Sequence, residues 1–248
     1  MIVILTGAGI SKESGLNTYR DADGTWTSVP IDEVATPEAF ARDPARVNAY
    51  YNSRRQKLLS GDVAPNAAHV ALAQLQRARG DVLLVTQNVD NLHERAGSPQ
   101  VLHMHGELLR ARCLACGAEH NWPADITPAS LCPACGVAGR LRSAVVWFHE
   151  RPLHLPRISE ALQRCRLFVA IGTSGSVYPA AGFVDLVPGH SLELNLAPSA
   201  VANRFAQAVY GPASRTVPAL VESLLAEDAG AGDADTGDAG TGDVRSQA

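Results

Sequence analysis

Four short apolar runs mark out the chain, at residues 2–5, 82–85, 167–171 and 192–196. Each is continuous rather than alternating, the pattern of strands covered on both faces in a parallel sheet. Each gives way to polar or glycine-containing sequence: Thr6-Gly7, Thr86-Gln87-Asn88, Gly172-Thr173-Ser174 and Ala197-Pro198-Ser199. Helical spacings lie between them. Residues 67–79 set Val70, Leu72 and Leu75 among alanines, with Asn66 placed to cap the start, and residues 158–166 and 218–225 read as further helices. Strands alternating with helices predict an α/β fold. In such a fold ligands bind outside the carboxyl ends of the strands, where all four polar punctuation points fall.

Two stretches interrupt the alternation. Residues 26–62 read as helix-rich, with Thr36-Pro37-Glu38 supplying an N-cap and a proline at the first helical position. Residues 113–142 are rich in Cys, Gly and Pro and carry little periodicity. The two are expected to form one smaller module. The end of the chain, residues 227–248, is Gly/Ala/Asp/Thr low-complexity sequence with too little apolar surface to offset its chain entropy, and is expected to be a disordered acidic tail.

Composition adds little until it is placed along the chain. A 46% apolar content and 248 residues suit a soluble globular protein of one large domain with an insertion. The formal charge of −4 sits in the tail, where Glu227, Asp228, Asp233, Asp235, Asp238 and Asp243 face only Arg245. The body is close to neutral, which argues against nucleic-acid binding by phosphate neutralisation. The first residues enter a strand at once, without a signal-like segment, and no run approaches the roughly 18 apolar residues of a membrane span. A cytoplasmic protein with no membrane partner is expected.

Cys113-x-x-Cys116 and Cys132-x-x-Cys135 form two knuckles, with Gly117 and Gly136 directly after each pair for the tight turns. Four thiolates at this spacing converge on a tetrahedral Zn²⁺, and four protein ligands leave no open position, so the metal is expected to be structural. Cys165, in a predicted helix, reads as packing.

The loop Thr6-Gly7-Ala8-Gly9-Ile10-Ser11-Lys12-Glu13-Ser14-Gly15 follows the first strand immediately. Glycines there let backbone N–H groups approach a pyrophosphate at a helix N-terminus. Lys12 stands where a third glycine is usual, and no acidic residue closes a second strand to read a ribose, so a hydride-transferring dehydrogenase is disfavoured. Thr86-Gln87-Asn88-Val89-Asp90-Asn91-Leu92-His93 places a cluster of polar side chains at a strand end, an expensive arrangement unless solvated or bound to a ligand. Beyond it lie His103 and His105, which share a face on an extended segment. Either could be a metal ligand, a packed side chain, or a base toward a sugar hydroxyl.

Together these motifs resemble the sirtuin family of NAD-dependent protein deacylases. The matching residues are Gly7-Ala8-Gly9-Ile10-Ser11 with Ser14-Gly15, Tyr19-Arg20, Gln87-Asn88-Val89-Asp90, His105-Gly106, the cysteine pairs, Gly172-Thr173-Ser174 and Asn195. The resemblance implies a Rossmann-like parallel sheet with helices on both faces, formed by residues 1–25, 63–112 and 143–226. A discontinuous helical and zinc-ribbon module would be formed by residues 26–62 and 113–142. It also implies that Gly7 to Arg20 cradle the pyrophosphate and ribose of NAD, with Trp26 closing a loop over it. Asp90 would hold the nicotinamide carboxamide, and Gln87 and Asn88 the adjoining ribose beside Val89. Gly172, Thr173, Ser174, Asn195, Leu196 and Ala197 would line the adenosine half, with Ala213 near the adenine. The acyl oxygen would attack the ribose carbon as nicotinamide leaves, and His105 would then act as base toward a ribose hydroxyl. The products would be free lysine and O-acyl-ADP-ribose.

Tyr51 and Arg54 stand three apart, neighbours on one helix face. They resemble the pair that marks desuccinylase-type sirtuins, with Ala22 similar to the small residue that widens their acyl pocket. Succinyl- and malonyl-lysine are therefore expected substrates alongside acetyl-lysine. Val145-Val146-Trp147-Phe148-His149-Glu150 resembles the family's peptide-binding segment, with Val146 and Phe148 expected to touch the substrate. His149 departs from the family there, at a position commonly glycine. A mono-ADP-ribosyltransferase sharing the first chemical step, and a non-catalytic NAD- and zinc-binding interaction module, remain the rival readings.

Overall fold

The computed structural model describes residues 1–17 and 29–233. In chain order the elements begin with β1 (Ile2–Thr6), the one-turn α1 (Gly9–Lys12), α2 (Ile31–Val34), α3 (Pro37–Arg42) and α4 (Pro44–Leu59). There follow α5 (Ala67–Ala78), β2 (Val82–Thr86), α6 (Leu92–Arg95) and the two-residue β3 (Leu102–His103). Next come β4 (Gly106–Cys113), β5 (Glu119–Asn121) and β6 (Leu141–Val145). The chain continues through α7 (Leu155–Arg164), β7 (Leu167–Ile171), β8 (His190–Asn195), β9 (Gln207–Tyr210) and α8 (Ala213–Asp233).

Six parallel strands form one sheet in the order β3-β2-β1-β7-β8-β9. The order reverses between β1 and β7, which makes that junction the topological switch point. The continuous apolar strands are covered on both faces, as expected. Ile2, Ile4, Leu84, Val169, Leu192 and Leu194 pack with Leu72 and Leu75 of α5 and Val217 and Val221 of α8. Val3, Leu5, Val85, Phe168 and Ala170 pack on the opposite face with Ile158 and Leu162 of α7 and with Phe183.

The helix ends follow their local signals. Thr36 accepts from Ala39 N at 3.0 Å with Pro37 in the first turn of α3. Asn66 caps α5 from Ala68 N at 3.0 Å, and His69 reaches back to Asn66 N. Two helices depart from the sequence expectation. The third predicted helix starts at Ala213 rather than at Pro218, because Ser214 is already held at the helix start through its N and Oγ by Glu13. That helix also runs on to Asp233, past Glu227, where composition predicts loss of order. The helix read at 158–166 starts at Leu155 and stops at Arg164, with Cys165 as its buried C-cap.

β4, β5 and β6 form a separate antiparallel sheet in the order β5-β4-β6. The ribbon therefore reaches back to Gly106 and on to Val145, wider than residues 113–142. A buried arginine is one of the side chains that tie it to α4. Arg55 is fully buried and donates from Nε to Leu108 O (3.1 Å), from Nη1 to Asn52 Oδ1 (2.8 Å) and from Nη2 to Ser143 Oγ (2.8 Å). Among the described residues no helix is long and apolar enough to cross a membrane.

Candidate active site

The loops after β1 and β7 meet at the switch point. Gly9 N donates to Gly172 O at 2.8 Å, and Gly7 N to Ile171 O at 2.9 Å. A Cβ on Gly9 would stand 2.7 Å from Gly172 Cα, and one on Gly172, whose φ is +62°, would stand 2.5 Å from Ile10 N. The glycines are thus required first by this backbone-to-backbone contact, and the exposed loop edge is left to a ligand. Ile10 itself packs into the core, and its side chain is no part of the cavity wall.

A cleft of about 890 Å³ opens over these loops. Its walls bring together Gly7, Ala8, Gly9, Gln87, Asn88, Val89, His105, Gly172, Thr173, Ser174, Asn195, Leu196, Ala197 and Ala213 with Tyr51, Arg54, Val146 and Phe148. A smaller recess of about 270 Å³ adjoins it, lined by Ser11, Gly15 and Asp90 and sharing Ala8, Asn88, Val89 and Arg54. Tyr19, Arg20, Ala22 and Trp26 lie outside the described residues. Tyr51 is more buried than a solvated helix face would allow. It meets Tyr50 edge-on at 5.0 Å and lies 6.3 Å from Trp147, in the core of the helical module. The Arg54 guanidinium lies 5.7 Å above the Tyr50 ring.

Beneath the glycine loop runs a buried polar network. Asn88 Nδ2 donates to Gly7 O and to Ser11 Oγ, both at 3.1 Å, and Ser11 Oγ donates to Asp90 Oδ2 at 3.1 Å. Leu92 N donates to the other Asp90 oxygen at 3.1 Å. Burial raises the Asp90 pKa, against the pull of these two donors. Thr6 Oγ1 donates to Thr86 Oγ1 at 2.8 Å, and Thr86 Oγ1 also accepts from Asn88 N at 3.0 Å. With its proton given to Thr86, Thr6 accepts from His93 Nε2 at 3.0 Å. Burial holds His93 neutral, helped by His69 and His103 nearby, and burial brings His69 down to about 4. Of this network, Thr6 and His93 stand at the ends of the glycine loop and the polar strand-end cluster read from the sequence, whereas His69 belongs to neither. The one available signal for it was the Asn66-x-x-His69 capping spacing.

The two histidines of the alternating pair have different surroundings. His103 is buried with Nε2 2.7 Å from Glu94 Oε1 and Nδ1 3.2 Å from Asn88 O. Burial disfavours its charged form, yet the Glu94 carboxylate raises its pKa overall. His105 lines the cleft. Its Nδ1 lies 3.0 Å from Gln87 O, and a carbonyl can only accept, so Nδ1 carries the proton and Nε2 keeps its lone pair. Burial lowers the His105 pKa, with the Gln87 carbonyl opposing in part. The result is a neutral base beside Gln87 and Asn88.

The four knuckle cysteines gather with all Sγ atoms within 4.8 Å of one another. Cys113 and Cys135 stand 3.8 Å apart, and Cys116 and Cys132 3.7 Å. Zn–S bonds of about 2.3 Å in tetrahedral geometry set sulfurs about 3.8 Å apart, so this donor set fits zinc and is far too open for disulfides. The cluster lies on the three-stranded sheet and is absent from the cleft wall, consistent with a structural ion.

Comparison with known proteins agrees with this geometry. A family model described as Sir2 family matches residues 7–179. The NAD-dependent protein deacylase of Escherichia coli (strain K12) is 55% identical over 228 residues, covering 90% of this chain and 82% of its own length. The protein of the same name from Pasteurella multocida (strain Pm70) is 53% identical over 221 residues, covering 88% and 94%. Among solved structures, a Sir2 homologue in complex with NAD superimposes with a TM-score of 0.81 at 37% identity, covering 92% of this chain and 90% of that one.

Proposed function

Since this chain belongs to the Sir2 family, we propose that it is an NAD-dependent protein-lysine deacylase that accepts acetyl-lysine and the carboxylated succinyl- and malonyl-lysine. The observation that carries the reading is the orientation of His105. A neutral imidazole with a free Nε2 faces a cleft between two glycine loops at the switch point of a parallel sheet.

In this reading NAD lies across the glycine loops, its pyrophosphate on Gly7–Gly9 and its adenosine toward Thr173, Asn195 and Ala213. The nicotinamide enters the smaller recess, where Asp90 and Ser11 meet its carboxamide. Asn88 is pinned through Nδ2 to the loop and orients the ribose. The acyl oxygen attacks the ribose carbon as nicotinamide departs as a neutral base. His105 Nε2 then takes the proton of a ribose hydroxyl, which attacks the alkylimidate, and water completes release of lysine and O-acyl-ADP-ribose. The cysteine cluster would hold one zinc that fixes the ribbon and takes no part in these steps.

The succinyl and malonyl preference rests on Tyr51 and Arg54 lining the same cleft as His105. A guanidinium and a phenol make charge-assisted hydrogen bonds to a carboxylate, of about 1.5–3 kcal/mol. Arg54→Met is accordingly expected to lower desuccinylation about 10- to 100-fold while deacetylation changes little. Nicotinamide release from acetyl-, malonyl- and succinyl-peptides measures both, and equal loss on all three peptides overturns the carboxylate reading.

A further inference from the structure

The turn after β6 holds a non-glycine residue in a backbone conformation that glycine would adopt without strain. His149 has φ +71°. The residues around it leave the turn no freedom. Arg142 donates to both Glu150 oxygens at 2.8 and 2.9 Å and to Val145 O at 2.7 Å, and it stacks 3.5 Å over the Trp147 ring. Trp147 N donates to Glu150 Oε2 at 2.8 Å, and Phe148 N donates to Ala35 O at 3.0 Å. The fold therefore dictates the conformation at 149 but makes little use of the imidazole. The side chain is 67% exposed, lines the mouth of the cleft, and meets Glu38 Oε2 of α3 at 3.4 Å, itself 62% exposed. An ion pair so open to solvent is weak and readily exchanged. A strained side chain with a weak structural partner, at the rim of a site, points to use in binding.

We propose that His149 is a specificity-determining residue that receives an acidic side chain next to the acylated lysine, with Glu38 as the internal group it exchanges. The inference rests on the reading above that the segment from Val146 to Phe148 lies along the substrate peptide. Its acidic preference follows from the donor at this rim. His149 offers a ring N–H at the cleft rim, and the partner it meets there is the Glu38 carboxylate. A substrate carboxylate here takes the place of the Glu38 carboxylate on His149.

The test uses two acyl-lysine peptides that differ only in an Asp or an Asn beside the acyl-lysine, with kcat and KM measured for each. The expected wild-type preference for the Asp peptide is about two- to fivefold in kcat/KM, expressed in KM. His149→Gly should bring the ratio to one with no fall in Tm, because glycine takes the same φ unstrained. His149→Asn, which also tolerates positive φ, should lose the preference as well. Glu38→Gln should enlarge it, by removing both the competitor and a like charge. Equal kcat/KM on the two peptides in the wild type, or a ratio unchanged in His149→Gly and His149→Asn, overturns the proposal while leaving the deacylase reading intact. A wild type that releases nicotinamide from neither peptide takes down both.

Discussion

His105 is one atom's geometry away from being inert. With its Nδ1 proton held by the Gln87 carbonyl, the free Nε2 faces the cleft, and burial lowers its pKa from 6.5. The sign of the effect sets a pH profile. A base with a depressed pKa stays unprotonated as pH falls below 6.5 and is lost only when pH passes through the lowered value. The acid limb of kcat is therefore expected below 6.5, with activity flat from there to neutral pH. A kcat–pH profile with saturating NAD and peptide reads it directly, and an acid limb above 6.5 would sink the assignment. At this scale the sequence supplied the candidates and no more. His103 and His105 share an alternating pattern, yet only the surrounding chain separates them, by giving His103 to Glu94 and His105 to the cleft. Arg55 and the His69–His93 contact, with ring centroids at 4.9 Å, were equally invisible, since their partners lie far away along the chain.

At the scale of elements, the glycine motif changes meaning. Read alone, Gly7-Ala8-Gly9 makes room for a pyrophosphate. In the fold, Gly7 and Gly9 face Gly172 across the switch point at distances no Cβ can share. Gly172→Ala is therefore expected to cost about 2–3 kcal/mol from positive φ and backbone overlap, a fall in Tm of about 5–10 °C. It should also raise KM for NAD, because the β1 loop must shift. Gly61→Ala, with no atom within 4 Å of an added Cβ, is the matched control and should change neither. Thermal unfolding and NAD titration decide it, and a Gly172→Ala protein indistinguishable from the control would show that the loops tolerate separation. Strands and caps were legible because their causes are local: apolar runs for the sheet, Asn66 and Thr36 for the helix starts. The ribbon's true extent was not, because β4 and β6 are paired by contacts across residues 106–145 and their outer ends look like ordinary sequence.

At the scale of the whole molecule, the ribbon that carries the cysteine cluster is bonded to the helix that carries Tyr51 and Arg54. Asn52 Nδ2 donates to Ile126 O and Asn52 Oδ1 accepts from Ile126 N, both at 2.9 Å, and Gln56 donates to Asp125. Asn52 and Gln56 lie on α4 beside Tyr51, Arg54 and Arg55. Stripping zinc with a chelator should release the ribbon from α4. The expected outcome is one zinc freed per chain, a marked fall in Tm, and loss of desuccinylation along with stability. Full activity and an unchanged Tm in metal-free protein would mean that the four thiols hold their arrangement unaided.

Sequence by itself determined what depends on neighbours in the chain. Continuous apolar runs called for strands buried on both faces, capping residues set helix starts, and paired knuckles called for a four-thiolate site. It also named the residues from which a catalytic cleft could be built. Only the tertiary structure decided which of them face one another: Gly9 against Gly172, His105 toward the cleft and His103 away from it, Tyr51 and Arg54 beside Val146 and Phe148. The physical reason is that local hydrogen bonds and periodicity are fixed within a few residues. The direction in which a polar side chain points is fixed by which distant elements the core brings together, and by the few donors and acceptors left there to meet it.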